Sequence, residues 1–407
     1  MKPRRRDILR AALALAGGAF LESFQALAAP EKGRVKITAI KAMQLQKHGN
    51  ALVKVETDAG LVGYGEAGAS GPMARARIDT FKHLLLGQDP LAIERHFHKM
   101  TTQMHTYMAH IPTISGIDIA LWDLAGKITG LPVYALMGGP FRDKIRLYIN
   151  TAPKDMLDPA SCREWAAEMK QSPQGWSTFK VDVMRAIGGT SAQVTPMLTS
   201  AELVRVEKGY ANVRQAIGPE MDLIVHCHNE FDLPSAIGIA RAVEPIRPLW
   251  LEDALPVAYS DSWLALKRAA RVPILTGEKL ELPKQFLPFL QNEAVDVIHP
   301  DLAFTGGLTG GRKIADLAAL YHVPVATHNV GTLVLTMASA HFGASIFDFV
   351  TSENVIGQGR LVEEMAAGRP PVVEGSYLEV PQVPGLGADL NPEVLRANLE
   401  PGEPFWG

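Results

Sequence analysis

The chain has only two cysteines in 407 residues, Cys162 and Cys227. A disulfide between them is compatible with an oxidising compartment, but nothing in the sequence requires one. Cys227 lies in the alternating run Leu223–His228 and reads as a small buried residue facing surrounding helices. Basic clusters are also lacking: none occurs beyond the first ten residues, and the formal net charge is −3. Nucleic acid is therefore not expected as a partner. No low-complexity tract is present. The composition, 47% hydrophobic and 20% charged, is that of an ordinary soluble globular protein. The length suffices for a barrel of about 250 residues plus a second domain.

The first 28 residues stand apart. Arg4-Arg5-Arg6-Asp7-Ile8-Leu9-Arg10 is followed by the small apolar stretch Ala11–Phe20 and by Ala26-Leu27-Ala28. A basic head, a short weakly apolar core and an Ala-x-Ala site form a cleavable export signal. The Arg5-Arg6 pair resembles the twin-arginine type and predicts a periplasmic protein. The apolar stretch is well short of the about 20 residues that span a bilayer, so no stable membrane insertion is expected after cleavage.

Beyond the signal, Val35–Ile40, Leu52–Thr57, the turn Asp58-Ala59-Gly60 and Leu61–Glu66 predict an antiparallel meander. Helical stretches follow around Ala74–Leu86 and Ile93–His105. Ser115–Thr129 keeps i, i+3, i+4 apolar spacing and ends at Gly130 and Pro132. These make a small α+β domain over residues 35–143. From Ile145 the pattern alternates strand and helix, with strands at Ile145–Ile149 and Thr178–Val183 and helices near Cys162–Lys170 and Ala201–Ile217. This predicts an α/β fold, a (β/α) barrel over 144–370. The segment 371–407 is expected to pack back on the first domain, with the Pro- and Gly-rich stretch Arg369–Asp389 as loops.

Six residues recur along the second half: His226, Glu252, Glu278, Asp301, His328 and Glu353, with gaps of 26, 26, 23, 27 and 25 residues. That is the length of one strand-plus-helix unit. Each follows a short apolar run: Leu223–Val225, Leu249–Leu251, Ile274–Thr276, Val297–Ile298, Val325–Ala326 and Phe347–Val350. Parallel strands closed into a barrel open their C-terminal ends onto one mouth. The six residues therefore predict a ring of acids and histidines around one cavity.

Glu252 and Glu278 are hard oxygen donors on neighbouring strands, with His226 one strand earlier; together they make a candidate divalent-cation site. Asp301 bonded to His328 makes a candidate general base. His228 is a second proton-transfer candidate on the face of His226. Lys180 suits a substrate carboxylate, and Asp182 and His299 are weaker candidates. This equipment suits removal of a proton beside a carboxylate, with an enediolate stabilised by a metal. His105 and His110, in the stretch Met104–Pro112, read as parts of a solvated loop.

The chain resembles the enolase superfamily, in its mandelate racemase and sugar-acid dehydratase branch, from about Val35 to Leu390. In the first domain the resemblance rests on Val53–Glu66 and on Ala120-Leu121-Trp122-Asp123-Leu124-Ala125-Gly126-Lys127 with Leu136-Met137-Gly138-Gly139. In the barrel it rests on Trp250-Leu251-Glu252-Asp253, Thr276-Gly277-Glu278, Asp301 with Gly306-Gly307-Leu308-Thr309, His328, Glu353 and Pro384-Gly385-Leu386-Gly387. It implies a modified TIM barrel with an N-terminal capping domain. His226, Glu252 and Glu278 are implied as metal ligands, and His328 with Asp301 as the base. Glu353, Lys180 and Asp182 are implied at the substrate. Position 301 is an aspartate where other branches have a lysine, and Lys180-Val181-Asp182 lacks a second lysine. The galactonate and mannonate dehydratase pattern fits best, with His228 as general acid.

The family's first metal ligand is an aspartate, and here it is His226. The resemblance implies Mg²⁺, while imidazole favours Mn²⁺, Fe²⁺ or Zn²⁺. An altered metal site, a metal-poor site with new chemistry and a non-catalytic relative are the three readings that follow. The expected activity is dehydration of a small-molecule sugar acid, an aldonate or aldarate, to a 2-keto-3-deoxy acid by a homo-oligomer. Racemisation, epimerisation or cycloisomerisation of a hydroxy acid, or periplasmic binding of a sugar acid without turnover, are the alternatives.

Overall fold

The computed structural model describes residues 34–102, 105, 108–188, 197–357 and 361–407. The expected signal at 1–28 and Met104 in the loop before Pro112 lie outside them.

Ile37–Gln44 (β1), Ala51–Thr57 (β2) and Val62–Ala67 (β3) pair antiparallel in sequence order, followed by helices Gly71–Leu85 (α1), Ile93–Thr101 (α2) and Ile111–Thr129 (α3). α3 starts four residues before the apolar periodicity does. His110 is its N-cap, its ring Nδ1 accepting from the Thr113 N–H at 3.4 Å, and Pro112 occupies the first turn. The residue expected in a solvated loop thus caps a helix. α3 is buried nearly all round because β3 lies directly on it: a Cβ at Gly65 would sit 1.9 Å from the Gly116 carbonyl oxygen. That close approach explains Gly63-Tyr64-Gly65 in the meander.

After the one-turn helix Val133–Leu136 (α4), the second domain begins with Lys144–Asn150 (β4), Pro159–Lys170 (α5), Thr178–Asp182 (β5), Met184–Ile187 (α6) and Ser200–Ile217 (α7). It continues through Asp222–His226 (β6), Leu233–Val243 (α8), Leu251–Glu252 (β7), Asp261–Ala269 (α9), Ile274–Thr276 (β8) and Leu282–Gln291 (α10). Val297–Ile298 (β9), Gly307–Leu320 (α11), Val325–Thr327 (β10), Leu333–Ser345 (α12) and Phe349–Asn354 (β11) complete it. Strands β4 to β11 pair parallel in order, and β11 pairs with β4 through Ser352↔Leu147 and Glu353↔Tyr148. The sheet is thereby a closed eight-stranded barrel, as the sequence predicts. Tyr148, Ile224, Trp250, Leu275, Val297 and Ala326 fill its interior as a separate apolar cluster.

The C-terminal stretch is not all loop. Val373–Glu374 (β12) and Tyr377–Glu379 (β13) form a hairpin whose second strand pairs antiparallel with β4. Pro392–Ala397 (α13) leads back to the first domain, where Leu399 bridges to Leu45 and Glu403 pairs with Arg75. The buried Asp123 of α3 ties the two together, accepting from the backbone N–H of Tyr64 at 2.9 Å and of Leu386 at 2.8 Å.

Glu66, at the end of β3, is buried against the barrel. It accepts from the Thr332 N–H at 3.0 Å, the Thr332 hydroxyl at 2.6 Å and the Leu335 N–H at 3.2 Å. The capping domain thus supplies the carboxylate that satisfies the open N–H groups of α12. On the same helix His341 is fully buried. Its Nδ1 accepts from the Tyr134 N–H and its Nε2–H donates to the Leu386 carbonyl, both at 3.2 Å. Burial pushes His341 down to about 4. The ring stays neutral when folded and charges when unfolded, so its stabilisation is full above the unfolded value near 6.5. It is lost as pH falls towards 4, by about 3 kcal/mol. In denaturant titrations, His341→Gln should lose less stability than the parent between pH ~7 and ~4.5; identical slopes would remove the assignment.

Candidate active site

The ring is built by the period of two in the strands. Ile224 and His226, Trp250 and Glu252, Ala326 and His328 are each two residues apart. The first of each pair fills the barrel and the second stands above it at the mouth. On β8 the position two past Leu275 is Gly277, with φ +143, where a Cβ would meet Phe286 at 2.9 Å and the His299 N at 3.1 Å. The glycine lets the chain turn so that Glu278 takes the mouth position. Glu353 lies within β11 rather than after its strand, which starts past the exposed Phe347 and runs on to Asn354.

His226, Glu252 and Glu278 converge. His226 Nε2 lies 3.7 Å from Glu252 Oε1 and 3.8 Å from Glu278 Oε2. Its Nδ1 faces Asp182 Oδ2 across 3.4 Å on the β5 side. Among the described residues, the buried atoms His226 Nε2 and Glu278 Oε2 have no hydrogen-bond partner. One donor atom each from His226, Glu252, Asp253 and Glu278 fall within 4.8 Å of one another. Buried donors left open at this spacing fit a divalent cation. The charges agree. Burial and Lys180 disfavour the charged His226 ring, yet Asp182, Glu252 and Glu278 outweigh them and raise it. Despite burial, Lys180, His299 and His226 hold Glu252 down to about 2, and His328 and His226 hold Glu278 there too. Lys180 and the histidine rings balance these carboxylates, and a divalent cation would take the place of the histidine protons.

His328 Nδ1 lies 2.7 Å from Asp301 Oδ2, and the two residues also pair through the backbone. The Asp301 bond sets the tautomer that leaves Nε2 facing the cavity, 3.4 Å from Glu278 and 3.6 Å from Glu353. Burial lowers His328, but Glu278, Glu353 and Asp301 raise it to about 10. A cation held by Glu278 would weaken the first of these raising influences.

His228 reaches the mouth by a route different from strand alternation. β6 ends at His226, and Cys227–Glu230 is a turn closed by the Glu230 N–H on the Cys227 carbonyl at 3.2 Å. Both central residues are left-handed, His228 with φ 55 and Asn229 with φ 65, the type I′ pattern. Asn tolerates this region; for His228 it stores strain of about 1 kcal/mol or more. His228 Nε2 then lies 3.8 Å from Glu278 Oε1, with a side chain 39% exposed.

Lys180 has company that the sequence did not suggest. It is buried, donating to Glu252 Oε1 at 3.0 Å and Glu353 Oε2 at 2.9 Å, and sits over the Tyr148 ring. Burial opposes its charge, but the two carboxylates overcome it and raise Lys180 above the ordinary lysine range. Its positive charge is thus shared between two fixed acids rather than presented to the cavity alone. His299 is buried with Nε2 3.2 Å from Asp253 Oδ2 and belongs to the support of the acids. Cys162 and Cys227 are free and buried.

Three contributors are missing from the sequence reading of the site. Asp253 joins the donor cluster because its own left-handed φ of 50 turns the chain sharply after Glu252. Trp250 Nε1–H donates to Glu252 Oε2 at 2.9 Å, and the Tyr148 hydroxyl donates to Glu353 Oε2 at 3.3 Å. For Trp250 a signal existed: an indole two residues before an acid on one strand shares its face.

A closed parallel barrel with acids and histidines at its strand ends, under an α+β cap, defines the class. Residues 28–138 match the mandelate racemase / muconate lactonizing enzyme N-terminal domain, and 162–394 match the enolase C-terminal domain-like family. The chain belongs to this enolase-superfamily group. It is 34% identical over 359 residues to D-xylonate dehydratase of Haloferax volcanii, covering 87% of this chain and 86% of that protein. It is 32% identical over 368 residues to D-gluconate dehydratase of Thermoproteus tenax, covering 87% and 72%. To D-galactonate dehydratase of Ralstonia pickettii it is 30% identical over 386 residues, covering 91% and 96%. The solved mandelate racemase/muconate lactonizing enzyme-like protein of Rubrobacter xylanophilus superposes with a TM-score of 0.82 at 31% identity, covering 91% of this chain and 99% of that one.

Proposed function

We propose that the protein is a sugar-acid dehydratase, a hydro-lyase that removes the C2 proton of an aldonate or aldarate and expels the 3-hydroxyl. One observation carries the reading: the Nε2 atoms of His328 and His228 flank the two oxygens of Glu278, at 3.4 and 3.8 Å. A base and an acid thus address one small volume beside the donor cluster. The xylonate, gluconate and galactonate dehydratases to which the chain is similar support it.

His328 accepts the C2 proton at Nε2 while Asp301 holds its Nδ1–H. His228 gives a proton to the 3-hydroxyl, the C3–O bond breaks with its electron pair leaving in water, and the C2–C3 double bond forms. The resulting enol becomes the 2-keto-3-deoxy acid. His226, Glu252 and Glu278 would hold a divalent cation, with Asp253 alongside; when bound, it supplies positive charge for the substrate carboxylate as negative charge develops there. Mg²⁺ is the metal of the resemblance, and His226 widens the choice to Mn²⁺, Fe²⁺ or Zn²⁺. Glu353, fixed by Lys180 and Tyr148, presents an acceptor to a substrate hydroxyl.

A screen of acid sugars for 2-keto-3-deoxy products, run with elemental analysis, should find at least one substrate and a stoichiometric divalent ion. Racemised or cyclised product would replace the reaction, and a metal-free binder of sugar acids would replace the enzyme. Metal titrations give a sharper prediction. His226→Ala should weaken divalent-cation affinity by more than the ~10–100-fold that loss of a merely supporting partner costs. His226→Asp should shift preference towards Mg²⁺ by adding a hard oxygen. Equal occupancy in His226→Ala and the parent would take His226 out of the metal site.

The compartment and assembly belong to the same reading. Arg5→Lys with Arg6→Lys should hold folded protein in the cytoplasm, and an unchanged periplasmic yield would refute twin-arginine export. Light scattering of the purified protein should show a homo-oligomer.

A further inference from the structure

We infer that Glu230 is a positioning residue for His228, forming a second carboxylate–imidazole pair across the mouth from Asp301–His328; this rests on the reading of His228 as the acid. Glu230 Oε1 lies 3.3 Å from His228 Nδ1. Its side chain is only 10% exposed, and its buried Oε2 has no hydrogen-bond partner among the described residues. A carboxylate kept this dry and half-satisfied, on a turn with two consecutive left-handed residues, is not an incidental surface acid.

The turn is fastened on both sides. The Asn229 N–H donates to the Asp253 carbonyl at 2.6 Å, and Asn229 Nδ2–H to the Leu255 carbonyl at 2.7 Å. Lys279 Nζ donates to the His228 carbonyl at 2.9 Å, so β7 and β8 loops hold the backbone of this turn in place. The fastening leaves Glu230 one task towards the imidazole: to accept the Nδ1–H. With Nδ1 engaged, Nε2 is the nitrogen turned to the cavity, 3.8 Å from Glu278 Oε1. The Nε2 proton then goes to the departing hydroxyl, which leaves as water, and the ring keeps its Nδ1 proton against Glu230. The site thus carries two imidazoles oriented alike, one by Asp301 to take a proton and one by Glu230 to give one.

The test separates elimination from proton abstraction. In D₂O, with the metal-loaded enzyme and a substrate found by the screen, Glu230→Ala should lower keto-acid formation relative to C2 deuterium incorporation. The drop expected is about tenfold to hundredfold, the scale at which outer partners act. Glu230→Gln keeps an acceptor for the Nδ1–H, so it should recover much of the ratio, and KM should move little in either variant. A ratio within twofold of the parent in both variants overturns the proposal. His228→Asn run alongside tests the underlying reading instead: if it still forms product at the parental rate, His228 is not the acid. A substrate-free measurement accompanies these. In ¹⁵N spectra of the Mg²⁺-loaded protein at alkaline pH, the His228 signals, assigned by their loss in His228→Asn, should place the proton on Nδ1. In Glu230→Ala it should shift towards Nε2; an unchanged pattern also overturns the proposal.

Discussion

Turnover should fall by about 10²–10⁴-fold in His328→Asn, the contribution expected of a positioned general base, while fold and metal content stay at parental levels. Asparagine can keep a hydrogen bond to Asp301, which lies 2.7 Å from the imidazole, but it has no nitrogen able to take the C2 proton. Loss of deuterium incorporation at C2 should accompany the loss of product, because exchange needs the same nitrogen. Asp301→Asn should cost less, since it disturbs tautomer and basicity without removing the acceptor. A His328→Asn enzyme within tenfold of the parent would exclude His328 as the base. Residual exchange at the parental rate would exclude it equally.

Lys180→Met should destabilise the metal-free protein by about 3–5 kcal/mol, the cost of leaving buried charges without their partner. The lysine is 1% exposed and donates to two carboxylates, Glu252 and Glu353, that are themselves buried. Methionine fills the stem volume without the charge, so packing loss stays small and the electrostatic loss is isolated. A saturating divalent cation should recover part of the loss, because positive charge then returns beside Glu252. Denaturant titrations with and without the cation measure both effects. A loss below 1 kcal/mol in the metal-free state would mean that Lys180 does not stabilise the charge on Glu252. Equal losses in both states would place the cation away from Glu252.

Both expectations depend on how the barrel closes. The spacing of His226, Glu252, Glu278, Asp301, His328 and Glu353 was legible because each strand-plus-helix unit has nearly constant length and the strand side-chain period is two. The dyad was legible for the same reason: Asp301 and His328 sit at equivalent places on adjacent strands, and their backbones pair. The partners of Lys180 were not legible. Glu353 meets it across the junction of β11, β4 and β5, a neighbourhood that exists only once the last strand returns to the first.

By itself the sequence determined the alternating strand-and-helix barrel, the antiparallel meander before it and the order of the ring. These depend on periodicity and on local steric rules, which act over a few residues. Only the tertiary structure decided which acids converge on His226 as candidate cation donors and which are held by Lys180, that Asp253 enters the donor cluster, and that Glu230 stands behind His228. The reason is physical. Left-handed turns at His228, Asn229 and Asp253 redirect side chains without a period to announce them, and ångström-scale distances between strand ends arise from closure of the whole sheet.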